Sequence, residues 1–295
     1  MRILTEISKL PKEYFSKIDA AISRSNFWNK DNDIESIDVG PKGSLQSPSA
    51  LSLEEALQDV FDDLGLDIDA YVSSLDSDDE SFHLNPGHPA YPNRWLVDAR
   101  WYVSERRPGR NTIDLEIMPF GDDADPADVN SPALVRHIAQ TVRHELVHYT
   151  QMKKQSLKKG LYNDIEAFRD MLKDPKQVPN ESDPKYWDVY ESSGEKDPDT
   201  NEEIIRKEGF DDELYTQDYL KSHIEIDAHA HDAAEELLAV YGLADAKGLL
   251  SGPIELEDPK LPNAIQHYFQ YLSKDSRTVK LLKKKIVAYL DYFTE

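Results

Sequence analysis

Apolar and polar positions along this chain repeat with two different periods, and the switches between them set the predicted order of elements. Near the N-terminus, LPKEYFSKIDAAISRSNFW reads as one short amphipathic helix, and the polar stretch NKDNDIESIDVGPKGSLQSPSA after it has the composition of a linker. In SLEEALQDVFDDLGLDIDAYVSSL the apolar residues Leu53, Ala56, Leu57, Val60, Phe61 and Leu64 fall at helical spacing, with Ser52 as N-cap and Gly65 as stop. DSDDESFHLNPGHPAYPN, rich in Pro, Asp and Ser, marks a boundary or a long loop. From Trp95 the period becomes two. WLVDARWYVSE and TIDLEIMPF are strand-like runs joined by RRPGRN, and Ile113, Leu115 and Ile117 alternate with Asp114 and Glu116.

Beyond the acidic loop GDDADPADVN the period returns to helical. Ser131 and Pro132 open a helix, as hydroxyl cap and first-turn proline. Residues from 151 to 217 are irregular and strongly charged, with short helical pieces. A second long helix is predicted over about 217–241, ending at Gly242, with two more over about 262–273 and 276–293. There is no internal repeat. Helices exceed strands, and the strands occupy one section, so the fold class is helix-rich α+β. The Pro/Asp/Ser-rich segment divides the chain into an N-terminal helical and linker region, 1–90, and a larger domain, 91–295, with a charged insert at 153–216.

Composition narrows the chemistry. A chain of 295 residues with 39% hydrophobic content can bury a sizeable core. It has no cysteine, which excludes disulfide scaffolds, thiolate zinc sites and cysteine nucleophiles, so any transition metal must be held by histidine and carboxylate. The formal charge, 34 − 57 = −23, disfavours direct binding to nucleic acid or to an anionic membrane. Glu6, Lys9 and Lys12 interrupt any signal-peptide core, and no run of apolar residues approaches a membrane span. The expected location is the cytoplasm, or the inside of a viral particle.

Against this background the stretch RHELVHYTQ, residues 143–151, stands out. With His144 placed at zero on a helical wheel, His148 lies at about 40° and Glu145 at about 100°. Val135, Ile138, Val142, Leu146 and Tyr149 fall at about 120–200°, and Arg136 and Arg143 lie on the far side. Imidazoles four residues apart stack on one face and can converge on one zinc ion, while the glutamate is turned away to accept a proton from a water. The plain alternative is a solvated helix face carrying a chance H-E-x-x-H string.

Two histidines do not complete a catalytic zinc site, which takes three protein ligands and a water. The motif continues YTQMKK, without the glycine and third histidine of the metzincin pattern. The other source is a glutamate on a later helix. In DYLKSHIEIDAHAHDAAEELLAVYG an apolar stripe (Ile226, Ala230, Ala233, Ala234, Leu237, Tyr241) leaves Glu225 and His229 on the neighbouring face. His223 and His231 point away from Glu225. His137 falls on the His144 face two turns earlier, and Tyr215 and Tyr219 are candidate phenol donors.

HELVH followed downstream by EIDAH resembles the gluzincin group of zinc metallopeptidases. More faintly, it is similar to zincin-like proteins of phages and bacteria. The resemblance covers about residues 95–241 and is specific only at the two motifs. It implies a zincin-like domain: a small sheet, an active-site helix and a second ligand-bearing helix, preceded here by the N-terminal helical extension. His144, His148 and Glu225 would be the ligands of Zn2+, Glu145 the general base, and Ala228 a small residue where the two helices approach. His229 stands where the family carries an aspartate, as a partner of a ligand or an alternative ligand.

The activity implied is hydrolysis of a peptide or protein substrate by a zinc-activated water. TIDLEIM would serve as an edge strand for an extended peptide, and the insert 153–216 would wall the cleft. Two other readings stand beside it: a catalytically silent zincin-like structural or interaction protein, such as a virion component, and an acidic decoy of a nucleic-acid-binding protein.

Overall fold

The computed structural model describes residues 7–25, 48–72, 95–103, 111–119, 132–161, 166–167, 169–170, 179, 190–196, 203–207, 211–252 and 261–295. The N-terminal amphipathic stretch forms helix α1 (Lys12–Arg24), which buries Tyr14, Ile18, Ala21 and Ile22, the four-then-three spacing of one helix face. Helix α2 (Pro48–Phe61) begins earlier than expected. Ser52 lies inside it, and its hydroxyl bonds the Ser25 carbonyl instead of capping the helix. A 3-10 turn over Asp62–Leu64 and Gly65 at φ 67, a left-handed conformation suited to glycine, then redirect the chain.

Strand β1 (Leu66–Val72) follows at once, so strands are not confined to the section after Trp95. With β2 (Trp95–Val103) and β3 (Asn111–Pro119) it forms a three-stranded sheet of order β1-β3-β2, β1 parallel and β2 antiparallel to β3. TIDLEIM therefore lies in the centre of the sheet, hydrogen-bonded on both sides, and cannot be the edge that receives a peptide. Among the described residues β1 and β2 are the two outer strands. Buried side chains on one face (Leu66, Ile68, Ala70, Val97, Trp101, Val103, Ile113, Leu115, Ile117) join α1, α2 and the next helix in one apolar core.

That next helix is α3 (Pro132–Lys159), the 28-residue element carrying the H-E-x-x-H motif. Its stripe at Ile138, Val142, Leu146 and Tyr149 is buried, and on the far side Arg136 is exposed while Arg143 is not. Arg143, only 5% exposed, donates to Asp19 of α1 at 2.7 Å and meets a glutamate at 2.9 Å on its other side, Glu235. Strands β4 (Tyr190–Lys196) and β5 (Glu203–Lys207) form an antiparallel pair within the charged insert, where only helical pieces were expected.

The predicted helix over 217–241 is two helices, α4 (Asp212–Lys221) and α5 (His223–Val240). Between them Ser222 adopts an extended conformation, ψ 141, and its side chain accepts from the Glu225 N–H. Ser222 and Glu225 are spaced as in a capping box, a start signal that breaks the longer pattern. Helix α6 (Leu243–Ser251) follows Gly242, and α7 (Asn263–Tyr271) and α8 (Arg277–Thr294) occupy the two predicted C-terminal segments. Buried residues of α4–α8 form a second apolar core, into which α5 sends Ile226, Ala230, Ala233, Ala234 and Leu237. Ile224 of the same helix belongs to the first core. The seam between the two, where α3 meets α5, holds the polar cluster described next. Among the described residues no helix is long and apolar enough to cross a membrane.

Candidate metal centre

Helix α3 presents His144 and His148 one turn apart, ring centroids 4.8 Å from each other. Helix α5 presents Glu225 from its first turn. His144 Nε2 lies 3.6 Å from Glu225 Oε2, and His148 Nε2 lies 3.5 Å from Glu225 Oε1. Two donor atoms bound tetrahedrally to one zinc ion at its usual bond lengths are about 3.3–3.6 Å apart, so the spacing fits a shared cation. Glu225 Oε2 is buried and has no hydrogen-bond partner among the described residues, a costly state for a carboxylate oxygen unless a cation is its partner. His144, His148 and Glu225 could hold a metal ion.

His144, Asp232 and His229 make a second convergence of donors. It differs in kind. His144 Nδ1 is 2.6 Å from Asp232 Oδ2, a direct hydrogen bond with no room for an ion between the atoms. Asp232, 8% exposed, thus fixes the His144 ring with Nε2 turned towards Glu225. His148 is fixed in the same sense, its Nδ1 lying 3.1 Å from Gln151 Oε1. Sequence reasoning missed both partners. Asp232 lies two turns beyond Glu225 on the same face of α5, and Gln151 three residues beyond His148, spacings that could have indicated them.

His229, expected as a partner of a ligand or an alternative ligand, does not orient a ligand closely: it is 4.0 Å from Asp232 and, through Nε2, 3.9 Å from Glu225 Oε2. That Nε2 is buried without a hydrogen-bond partner among the described residues. The ring packs edge-on against Tyr268 and His144. Ala228 is fully buried. His231 is also fully buried, stacked on Phe15 and against Tyr289 and Phe293, and its Nδ1 comes 3.5 Å from Asp232 Oδ1, on the side of Asp232 away from His144, while His223 is exposed.

Charges reinforce this arrangement. Burial opposes ionisation of Glu225, but the His148 and His144 imidazoles outweigh it and hold the carboxyl down at about 2. Burial likewise opposes protonation of His144, yet Asp232, with Glu225, lifts it well above its ordinary value. Burial, with the charge on His144, lowers His229 to about 4, so its ring is neutral at neutral pH. The Tyr219 phenol is pushed well up by burial and by adjacent Glu225, and Tyr268 by burial, Glu225 and Asp232.

Glu145 stands beside the cluster and outside it. Its Oε2 accepts the Trp101 N–H of edge strand β2 at 2.7 Å. Burial raises its pKa against the pull of the two imidazoles, which shifts a carboxylate towards the range of an effective proton acceptor. The arrangement brings together three donors that could hold a cation, a buried carboxylate with a raised pKa and an adjoining strand. Comparison of the chain with protein-family models, with curated proteins and with solved structures found no match, so the gluzincin resemblance rests on the two motifs alone.

Proposed function

We propose that this chain is a zinc-dependent metallopeptidase with a zincin-like site, acting on a peptide or protein substrate. The observation that carries the reading is the approach of both Glu225 oxygens to the Nε2 atoms of His144 and His148, at 3.6 and 3.5 Å, in a buried seam. A zinc ion there supplies a Lewis acid that makes a water acidic near neutral pH and polarises a carbonyl. Glu145, with Oε2 anchored by Trp101, takes the proton of the attacking water through Oε1 and returns it to the leaving amine. Strand β2, an outer strand among the described residues and tied to Glu145 through Trp101, offers main-chain hydrogen bonds to an extended peptide.

The test is hydrolysis of a fluorogenic peptide library by the zinc-loaded chain and by Glu145→Gln. The reading predicts cleavage by the parent only, with zinc retained in both. Zinc in both and cleavage in neither would contradict it. One observation favours a second reading, a closed structural zinc site: the unpartnered His229 Nε2, 3.9 Å from Glu225 Oε2, is placed to become a fourth protein ligand. His229→Ala separates the two, since it weakens zinc binding only if His229 is a ligand.

A further inference from the structure

The Gln151 side chain is held from three sides. Its Oε1 faces His148 Nδ1 at 3.1 Å, while its Nε2 donates to the Ile224 carbonyl at 3.0 Å and to Asp227 Oδ2 at 3.3 Å. Both atoms on the nitrogen side are acceptors only. Rotating the amide by half a turn would set its oxygen against a carbonyl and a carboxylate and its NH2 against the imidazole. One amide orientation therefore satisfies the group, and in it His148 must donate from Nδ1.

Asp227 is itself fixed. It is 4% exposed, accepts the Ser8 N–H on Oδ2 at 3.0 Å, and on Oδ1 accepts from Lys285 of α8 at 2.7 Å. Lys285 is 7% exposed, so both charges of the pair are buried. The Ser8 carbonyl in turn accepts from Tyr289, one turn along α8. A chain of hydrogen bonds, buried at Asp227 and half-buried at Gln151, thus runs from the C-terminal helix to one ring nitrogen of His148.

We infer that Gln151, oriented by the Ile224 carbonyl and by the Asp227 oxygen that Ser8 N–H holds in place, is a positioning residue that locks His148 in its Nδ1–H tautomer. The lock keeps the Nε2 lone pair directed at Glu225. A free histidine side chain favours the opposite, Nε2–H tautomer, so the network chooses the one that leaves Nε2 able to bind a cation. The inference deepens the zinc reading, and its consequence for metal affinity rests on that reading. The tautomer itself does not, because it follows from hydrogen bonds present without metal.

The experiment is 15N NMR of the histidine ring nitrogens in the metal-free full chain, recorded where His148 is neutral, followed by zinc titration against a chromophoric chelator. The parent is expected to show His148 protonated on Nδ1. Gln151→Leu, close in size but without an acceptor, is expected to shift the signal to mixed or Nε2–H character and weaken zinc binding about 10–100-fold. Asp227→Asn/Lys285→Gln is the conservative control, which removes both charges and keeps the oxygen. The Ser8 N–H still requires an oxygen at the Oδ2 position, so the amide orientation, tautomer and affinity are retained. Thermal unfolding of each variant identifies any loss that comes from misfolding. A parent His148 protonated on Nε2, or a folded Gln151→Leu with the parent's spectrum, would overturn the inference. The Nδ1–H tautomer in a parent that binds no zinc would leave the lock standing and overturn the metal reading instead.

Discussion

Replacing Asp232 with asparagine should weaken zinc binding by an amount that grows with pH. Asp232 Oδ2 accepts from His144 Nδ1 at 2.6 Å in a setting 8% exposed, and asparagine keeps the shape and one acceptor oxygen while removing the charge. Two effects then oppose each other. Without the carboxylate, the His144 imidazole is a poorer electron donor, and loss of such a partner typically costs about 10–100-fold in metal affinity, or about 1.4–2.8 kcal/mol.

The same carboxylate is what lifts the pKa of His144 well above its ordinary value against burial. A proton and a zinc ion compete for the same Nε2, so a lower pKa in the variant relieves that competition. Near neutral pH the two effects partly cancel. At alkaline pH, where His144 is neutral in both proteins, the full loss emerges. The assay is zinc titration against a competing chelator at a series of pH values, with thermal unfolding as the control for folding. Equal affinity at alkaline pH, or a loss that shrinks as pH rises, would refute the reasoning.

Other consequences follow from the same contacts. Glu225→Gln removes the negative donor from the seam and should abolish stoichiometric zinc binding, measured by metal analysis after gel filtration. Arg143→Met should destabilise the fold by about 2–4 kcal/mol in denaturant titration. Most of that loss comes from stranding Glu235, 16% exposed, because Asp19, 56% exposed, regains water. In the metal-free protein Glu225 titrates at about 2 instead of its ordinary 4.5, a depressed value whose stabilisation is present above pH 4.5. It is lost as pH falls through about 2, and thermal melts across that window should lose about 3 kcal/mol. The raised pKa of His144 reports the same interactions from the other side: their contribution is complete below its ordinary 6.5 and fades as pH rises through the folded value.

The motif helix was legible because a single period governs it. The apolar stripe that buries Ile138, Val142, Leu146 and Tyr149 is the same geometry that sets His144 and His148 on one side. Glu225 was legible as a candidate because α5 repeats that layout, and the structure brings it within 3.6 Å of both rings. The break at Ser222 was missed because apolar periodicity carries across it, while the capping signal resides in one hydroxyl.

Strand order lies outside any local pattern. Alternation in TIDLEIM marks a strand but does not say whether one edge or two are paired, and only the parallel partner β1 makes it central. Arg143 is polar on a wheel and buried in the fold, because charged partners from α1 and α5 meet it there. Asp232, Gln151 and the Asp227–Lys285 pair act through contacts between distant segments, and a chain rich in acidic residues hides three more carboxylates or amides easily.

The most direct test of the central claim is the position of bound zinc, located by anomalous diffraction at the zinc edge from crystals of the loaded chain. The account predicts one strong peak in the seam between α3 and α5, bonded to Nε2 of His144, Nε2 of His148 and the Glu225 carboxylate, with Glu145 beside it and unbonded. No peak in that seam, or a peak bonded to Asp232 and His229 in place of His148 and Glu225, would contradict it.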